Sequence, residues 1–277
     1  MMPARQSIIA ELVDDSQLNN AISLNAAGMS LTTMISPAIG GIVYHFLGPG
    51  MTYLLIVVFC IVACISTSML PKGEKKSPKS SKALNEIKDV INLLYKNSIF
   101  KFLLLFTLVT TLLSMPIRTL LAPYSSELLS GGALEVGIML ASIGAGALFG
   151  TLFSASLPQS TKKGKYIIFT SLISGSAIMI LGFSSILIIS ILLCFFLGVG
   201  DAGRRSLNPS MIIEKTPPEF RGRVMGFYAM SFGFIPLGAI PMGIISDVYG
   251  VDFSFIISGV LLVLLTLILS TKSVRSS

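Results

Sequence analysis

Hydrophobic positions in this chain fall in long unbroken runs, and the charged residues stand between the runs rather than on one face of them. A helix crossing about 30 Å of hydrocarbon needs about 20 apolar residues, so each run can be measured against that length. Residues 16–71 carry no Asp, Glu, Lys or Arg, which predicts two spans joined by a turn near Gly48-Pro49-Gly50. Residues 102–117 with their flanks predict a third span and residues 136–161 a fourth. Residues 166–200 divide at Gly182-Phe183-Ser184-Ser185 into a fifth and a sixth, and residues 224–246 and 253–271 give a seventh and an eighth. The predicted fold class is all-α integral membrane, with eight transmembrane helices.

Composition agrees with that reading. Of the 277 residues 53% are hydrophobic and 12% charged, with a mean hydropathy of +0.84, whereas soluble domains carry about 25% charge. A water-soluble globular fold is excluded on those figures. The net charge of +7 would suit a nucleic-acid binder only if the basic residues lined a face, and they do not. Short cytoplasmic loops accumulate Lys and Arg. Arg5 precedes the first span; Lys72 to Lys101, Lys162 to Lys165, Arg204 to Arg223, and Lys272 with Arg275 occupy alternate connections. The other connections, around Pro49, Ser126, Ser184 and Val251, contain none, so both termini are predicted to be cytoplasmic in a multi-pass cell-membrane protein. Arg118 alone departs from the pattern.

Residues 72–98 form the one long polar stretch. From Pro71 the chain reads PKGEKKSPKSSK, a flexible-linker composition, and continues with Leu84, Ile87, Ile91 and Leu94 at helical spacing, which predicts an amphipathic helix on the inner leaflet. The linker separates a helix pair (1–71) from a six-helix bundle (99–277). A shift of 202 residues places Gly243 on Gly41, Gly250 on Gly48, and the loop 216–224 on 14–22. Both copies are helix pairs of the same orientation, which marks a parallel repeat. Four spans precede the second copy and none the first, so the chain is expected to be the last two-thirds of a twelve-span protein.

Several segments carry a family resemblance. PARQSIIAELVDDSQLNNAISLNAA (3–27), PEFRGRVMG (218–226) and PLGAIPMGIISDVYG (236–250) resemble the loop before the fifth helix, the loop before the eleventh and the eleventh helix of major facilitator superfamily transporters. Within that superfamily the likeness is to bacterial exporters of the macrolide-efflux and siderophore-export kind. The resemblance implies that the eight spans are helices 5–12 of a twelve-helix fold. Ser36-Pro37-Ala38-Ile39-Gly40-Gly41 is similar to the end of the antiporter signature, with Ser36 replacing a glycine. Pro37, Gly40 and Gly41, with Arg221, Gly222 and Arg223, are thereby candidate conformational motifs.

Two ionisable residues are candidate substrate or coupling sites. Arg118 lies toward the outer end of span three, where it is either functional or an anchor snorkelling to the headgroups. Asp201, at the inner end of span six, either carries a proton or pairs with Arg204 or Arg205 at i+3 and i+4. Phe102, Phe106, Tyr124, Phe227, Phe232 and Phe234 either line an apolar cavity or face lipid. His45 is the single histidine, Cys60, Cys64 and Cys194 lie in apolar runs, and no Gly-x-x-x-x-Gly-Lys-Ser/Thr loop is present. No catalytic residue, metal site or cofactor is expected, and an enzyme is not. The reading is a secondary active exporter of small organic molecules working by alternating access, with protons as the coupling ion, the bilayer as its surroundings and first-bundle helices needed to complete it. The competing reading is a non-transporting membrane subunit or an inactive fragment.

Overall fold

The computed structural model describes residues 18–69, 98–157, 163–216 and 220–274, and every element among them is helical. The linker with its amphipathic helix, the first 17 residues and Pro218-Glu219 lie outside the described residues. In chain order the helices are α1 (Leu18–Ser68), α2 (Ser98–Ser114), α3 (Ile117–Leu128), α4 (Ala133–Ala155), α5 (Lys163–Leu181), α6 (Leu187–Lys215), α7 (Arg221–Met230), α8 (Ile235–Tyr249) and α9 (Val251–Val274), with a 3₁₀ turn at Ser231–Phe234 between α7 and α8.

Two glycines interrupt this helical chain where the sequence predicts turns. Gly48 breaks α1 with φ 72° and ψ 177°, and Gly250 separates α8 from α9 with φ 96° and ψ 152°. Both conformations belong to a region open almost solely to glycine. They are the positive-φ glycines among the described residues, and they stand 202 positions apart. After Gly48, Pro49 suits the first turn of a new helix, and the Thr52 hydroxyl donates one turn back to the Gly48 carbonyl at 2.8 Å.

Seven helical stretches among the described residues are long and apolar enough to cross a membrane: Leu31–Ser68, Phe102–Leu128, Ala133–Ala155, Lys163–Leu181, Leu187–Glu214, Val224–Tyr249 and Val251–Ser270. The sequence count of eight is one higher because it divides the first stretch at Gly48. Two boundaries need correction. The third span does not end at residue 117: Pro116 lacks an N–H and offsets the helix, which resumes as α3 and runs to Leu128. The sixth does not end at Gly200, since α6 continues to Lys215 and carries Asp201, Arg204 and Arg205 in its interior.

The bundle is apolar on the outside and polar in places within. Phe46, Phe153, Ile188, Leu192, Leu237 and Ile244 are exposed, while Thr107, Ser114, Ser171, Ser174, Asp201, Arg204 and Asn208 are buried. Only a hydrocarbon surround makes that distribution favourable. Many buried hydroxyls donate to a carbonyl one turn back, as Thr107 does to Leu103 at 2.8 Å, which removes the cost of an unpaired polar group. The core joins α3, α4, α5, α6 and α9 through Leu121, Tyr124, Met139, Ile178, Leu197 and Phe255. Tyr124 stacks on Phe255 with ring centroids 5.2 Å apart, and its hydroxyl donates to the Ser184 carbonyl at 2.7 Å.

α1 packs along α4 by backbone contact. A β-carbon on Gly41 would lie 2.7 Å from the Ala133 carbonyl oxygen and 2.9 Å from Gly137 Cα, whereas one on Gly40 would meet nothing within 4 Å. Of the two glycines, Gly41 therefore makes the close approach to α4. Gly41→Ala is expected to lower the melting temperature of the purified chain, and Gly40→Ala to leave it unchanged or raise it slightly through helix propensity; equal melting of the two variants would refute the assignment.

Candidate functional site

Midway along α6, Asp201 has no exposed side-chain surface. Two elements bring donors to it. On its own helix, Arg204 lies one turn on and its Nη2 donates to Asp201 Oδ1 at 2.6 Å. From the break at Pro116, the Ser114 hydroxyl donates to Oδ1 at 2.7 Å and Arg118 Nη2 to Oδ2 at 2.8 Å. Arg204 is itself buried, and its Nη1 reaches the Ser174 and Ser171 hydroxyls of α5 at 3.2 and 3.5 Å. Intramembrane charges persist when paired in this way.

The structure thus brings together the two ionisable candidates that the sequence leaves in different parts of the bilayer. Arg118 turns inward, 24% exposed, to the carboxylate rather than outward to headgroups, and Asp201 takes Arg204, at i+3, as its pair. Ser114 and Arg118 lie four residues apart on either side of the break at Pro116, and both address α6. Three donors converge on the carboxylate, two of them cationic, and they occupy both lone pairs of Oδ1 and one of Oδ2.

Beside this cluster lies a small open recess with room for about one water molecule, lined from α2, α6, α7 and the 3₁₀ turn. Thr107, Thr110, Arg205, Asn208, Tyr228 and Phe232 form its walls. Of the aromatic candidates, Phe232 lines it; Phe106 and Tyr124 are fully buried in the packed interior. Asn208 was not foreseen. Its Nδ2 donates to Thr107 Oγ1 and to the Leu103 carbonyl, while its Oδ1 is buried without a partner. The spacing Arg204–Asn208, one face of one helix, was the available signal.

The other candidates lie apart from the cluster. Pro37 and Gly41 sit at the α1–α4 contact, where a β-carbon on Gly137 would come 2.8 Å from the Pro37 carbonyl oxygen. Arg221 begins α7, and its Nε donates to the Thr216 carbonyl at 3.3 Å across the connection from α6; Gly222 and Arg223 follow it in the same helix. Lys163 and Glu214 form an ion pair joining the start of α5 to the end of α6. His45 is exposed on α1, as are Cys60 and Cys64, and Cys194 is buried.

A helical bundle with an apolar exterior, an ionised interior and a polar recess beside it has the build of a multi-pass membrane transport protein. The chain belongs to the transmembrane secretion effector family of the major facilitator superfamily, whose model matches residues 1–277. It is 23% identical over 273 residues to the staphyloferrin A transporter of Staphylococcus aureus (strain NCTC 8325 / PS 47), covering 96% of this chain and 67% of that protein. Macrolide efflux protein A of Streptococcus pyogenes is 22% identical over 272 residues, with the same coverage of each. The enterobactin exporter EntS of Shigella flexneri is 26% identical over 262 residues, covering 91% of this chain and 62% of the exporter. These relatives are transporters by name rather than enzymes.

Proposed function

We propose that the chain is the greater part of a secondary active exporter of small organic molecules that works by alternating access and is coupled to protons. The observation that carries this is the Arg118–Asp201–Arg204 cluster, a titratable group held by exchangeable partners in the middle of a bundle of a transporter family. In this reading a proton on Asp201 releases Arg118, and the loss of that pair favours the other orientation of the carrier. Pro37, Gly40 and Gly41 serve the moving contact at α1, and Arg221, Gly222 and Arg223 hold the connection before α7.

The same reading counts eight spans, with the break at Gly48 as a turn between the first two, and matches them to helices 5–12 of a twelve-helix carrier. Residues 99–277 form its second six-helix bundle, and residues 1–71 the last pair of the first. The conformations of Gly48 and Gly250 support the repeat on which this rests. So does the open face of α8: Gly243, the counterpart of Gly41, has nothing within 4 Å, and Leu237, Ile240, Ile244 and Val248 around it are exposed. First-bundle helices from outside these 277 residues would cover that face as α4 covers Gly41. Both termini would be cytoplasmic.

The test has two parts. In a Cys-free background, cysteines replacing Lys163 and Lys215 should resist an impermeant thiol reagent in intact cells, and cysteines replacing Ser126 and Tyr249, both exposed, should react. Joined to the first four helices of a relative, the chain should support uncoupler-sensitive efflux that Asp201→Asn abolishes while substrate exchange without a gradient continues. Normal gradient-driven efflux by the Asn variant at matched abundance would remove Asp201 as the coupling residue. Absence of any efflux would favour the non-transporting subunit.

A further inference from the structure

Hydrogen bonds join α2 to α6 at two levels. At one, the Ser114 hydroxyl donates to Asp201 Oδ1 at 2.7 Å; at the other, Asn208 Nδ2 donates to Thr107 Oγ1. This pairing makes the two helices antiparallel, and the step from Thr107 to Ser114 on one equals the step from Asn208 back to Asp201 on the other. The level between should therefore set Thr110 and Thr111 against Arg204 and Arg205, one turn from each pair. Those side chains turn elsewhere. Thr110 donates to the Phe106 carbonyl of its own helix at 2.8 Å, Arg204 holds Asp201 and the serines of α5, and Arg205 is exposed. The recess opens at this level, with Thr111 of α2 and Tyr228 of α7 in its walls.

One group there lacks a donor. Asn208, 2% exposed, lines the recess and leaves Oδ1 without a partner. Its amide cannot turn over: Thr107 gives its proton to the Leu103 carbonyl at 2.8 Å and can only accept from Asn208, so Nδ2 faces α2 and Oδ1 stays an acceptor. A buried acceptor without a donor is costly. An anion would be repelled by that oxygen, and a metal cation by the Arg204 guanidinium in the same wall. The space itself takes about one water molecule. Water brings the donor, and the Thr111 and Tyr228 hydroxyls can each give or take a further bond.

We propose that the recess is a binding site for a single water molecule, which donates to Asn208 Oδ1 and bonds to the hydroxyls of Thr111 and Tyr228. The water completes the seam between α2 and α6 and extends it to α7. That extension matters because Leu103, Leu104, Ile212, Val224 and Tyr228 otherwise hold α7 by apolar contact, which lipid tails can replace. A bridging water adds directional bonds between the helices, nearly as favourable in enthalpy as direct ones. The site goes beyond the transport reading and stands whether or not the chain exports anything.

X-ray radiolysis turns water in place into hydroxyl radicals that oxidise the nearest aromatic ring, so Tyr228 reports the site. The full 277-residue chain in lipid nanodiscs is irradiated beside an added dosimeter dye, and oxidation rates are read by mass spectrometry. Tyr228 should be oxidised several-fold faster than Tyr124, which is fully buried in the packed core. Thr111→Val keeps the volume and removes one partner, and it should slow Tyr228 oxidation about fivefold, the factor for one neutral hydrogen bond. Thr107→Val combined with Asn208→Leu removes the polar pair together, a change nearly neutral for folding, and should slow it at least as much. Thr119→Val, outside the recess, should change nothing. Loss of the fold would speed both tyrosines, whereas loss of the water slows Tyr228 alone. Oxidation of Tyr228 no faster than that of Tyr124 would show that no water enters. A rate unchanged in both recess variants would show bulk water wetting an open surface, and either result would overturn the proposal.

Discussion

Asp201→Ala is expected to destabilise the folded chain by about 3–5 kcal/mol, the range for removing one partner of a buried ion pair. The reason is what remains. Arg204, 4% exposed, keeps its charge and loses its carboxylate, and the serine hydroxyls of α5 cannot neutralise it. Arg118→Ala should cost less, since Arg118 is partly exposed and Asp201 would still hold Arg204 and Ser114. Replacing both Asp201 and Arg204 with leucine should recover most of the loss, because a buried pair exchanged for apolar residues of similar volume is often neutral. Melting temperatures in nanodiscs would show this as a strong positive coupling between the two sites. Additive losses, or an alanine variant as stable as the parent, would mean that the three donors contribute no structural energy.

The cluster also explains where the sequence misled. Hydropathy treats a charge as the end of a span, a sound rule for a side chain facing lipid, and it stopped span six at Gly200 and left Arg118 open between a functional role and an anchor at the headgroups. Inside a bundle the rule fails when opposite charges cancel each other. Asp201 and Arg204 sit one turn apart within α6, and their mutual neutralisation lets the helix continue to Lys215. Arg118 joins them across helices, a contact that no local pattern announces. The spans themselves and the glycine breaks at Gly48 and Gly250 were legible because length and residue size act locally. The recess was not: Thr107, Thr110 and Asn208 look in sequence like any hydroxyl or amide that bonds its own helix. Only the neighbouring helix decides that Asn208 Nδ2 bonds to Thr107 and that its Oδ1 bonds to nothing.

Gly198→Ala is expected to be as damaging as Asp201→Ala, though it adds a single methyl group and favours the helical state by up to about 1 kcal/mol. α4 and α6 pack along each other with reciprocal glycines at the crossing: a β-carbon on Gly198 would strike the Ile143 carbonyl, and one on Gly146 would strike the Phe195 carbonyl. Backbone atoms cannot rotate away as a side chain can, so the helices must separate. The Ser142 hydroxyl, which donates to the Ile191 carbonyl at 2.7 Å near the same crossing, would be drawn off its acceptor. In a bilayer, helix association depends on such contact and on interhelical hydrogen bonds, because hydrocarbon tails solvate an exposed apolar face as well as another helix does. Separation would also shift Asp201, on the same helix, relative to α2 and α3. Gly226 in α7 supplies the comparison, since a β-carbon there meets nothing within 4 Å. Gly226→Ala should gain the same propensity without the clash and melt at or above the parent temperature, while Gly198→Ala melts well below it. Matching melting curves for the two variants would show that α4 and α6 do not approach as closely as their glycines allow.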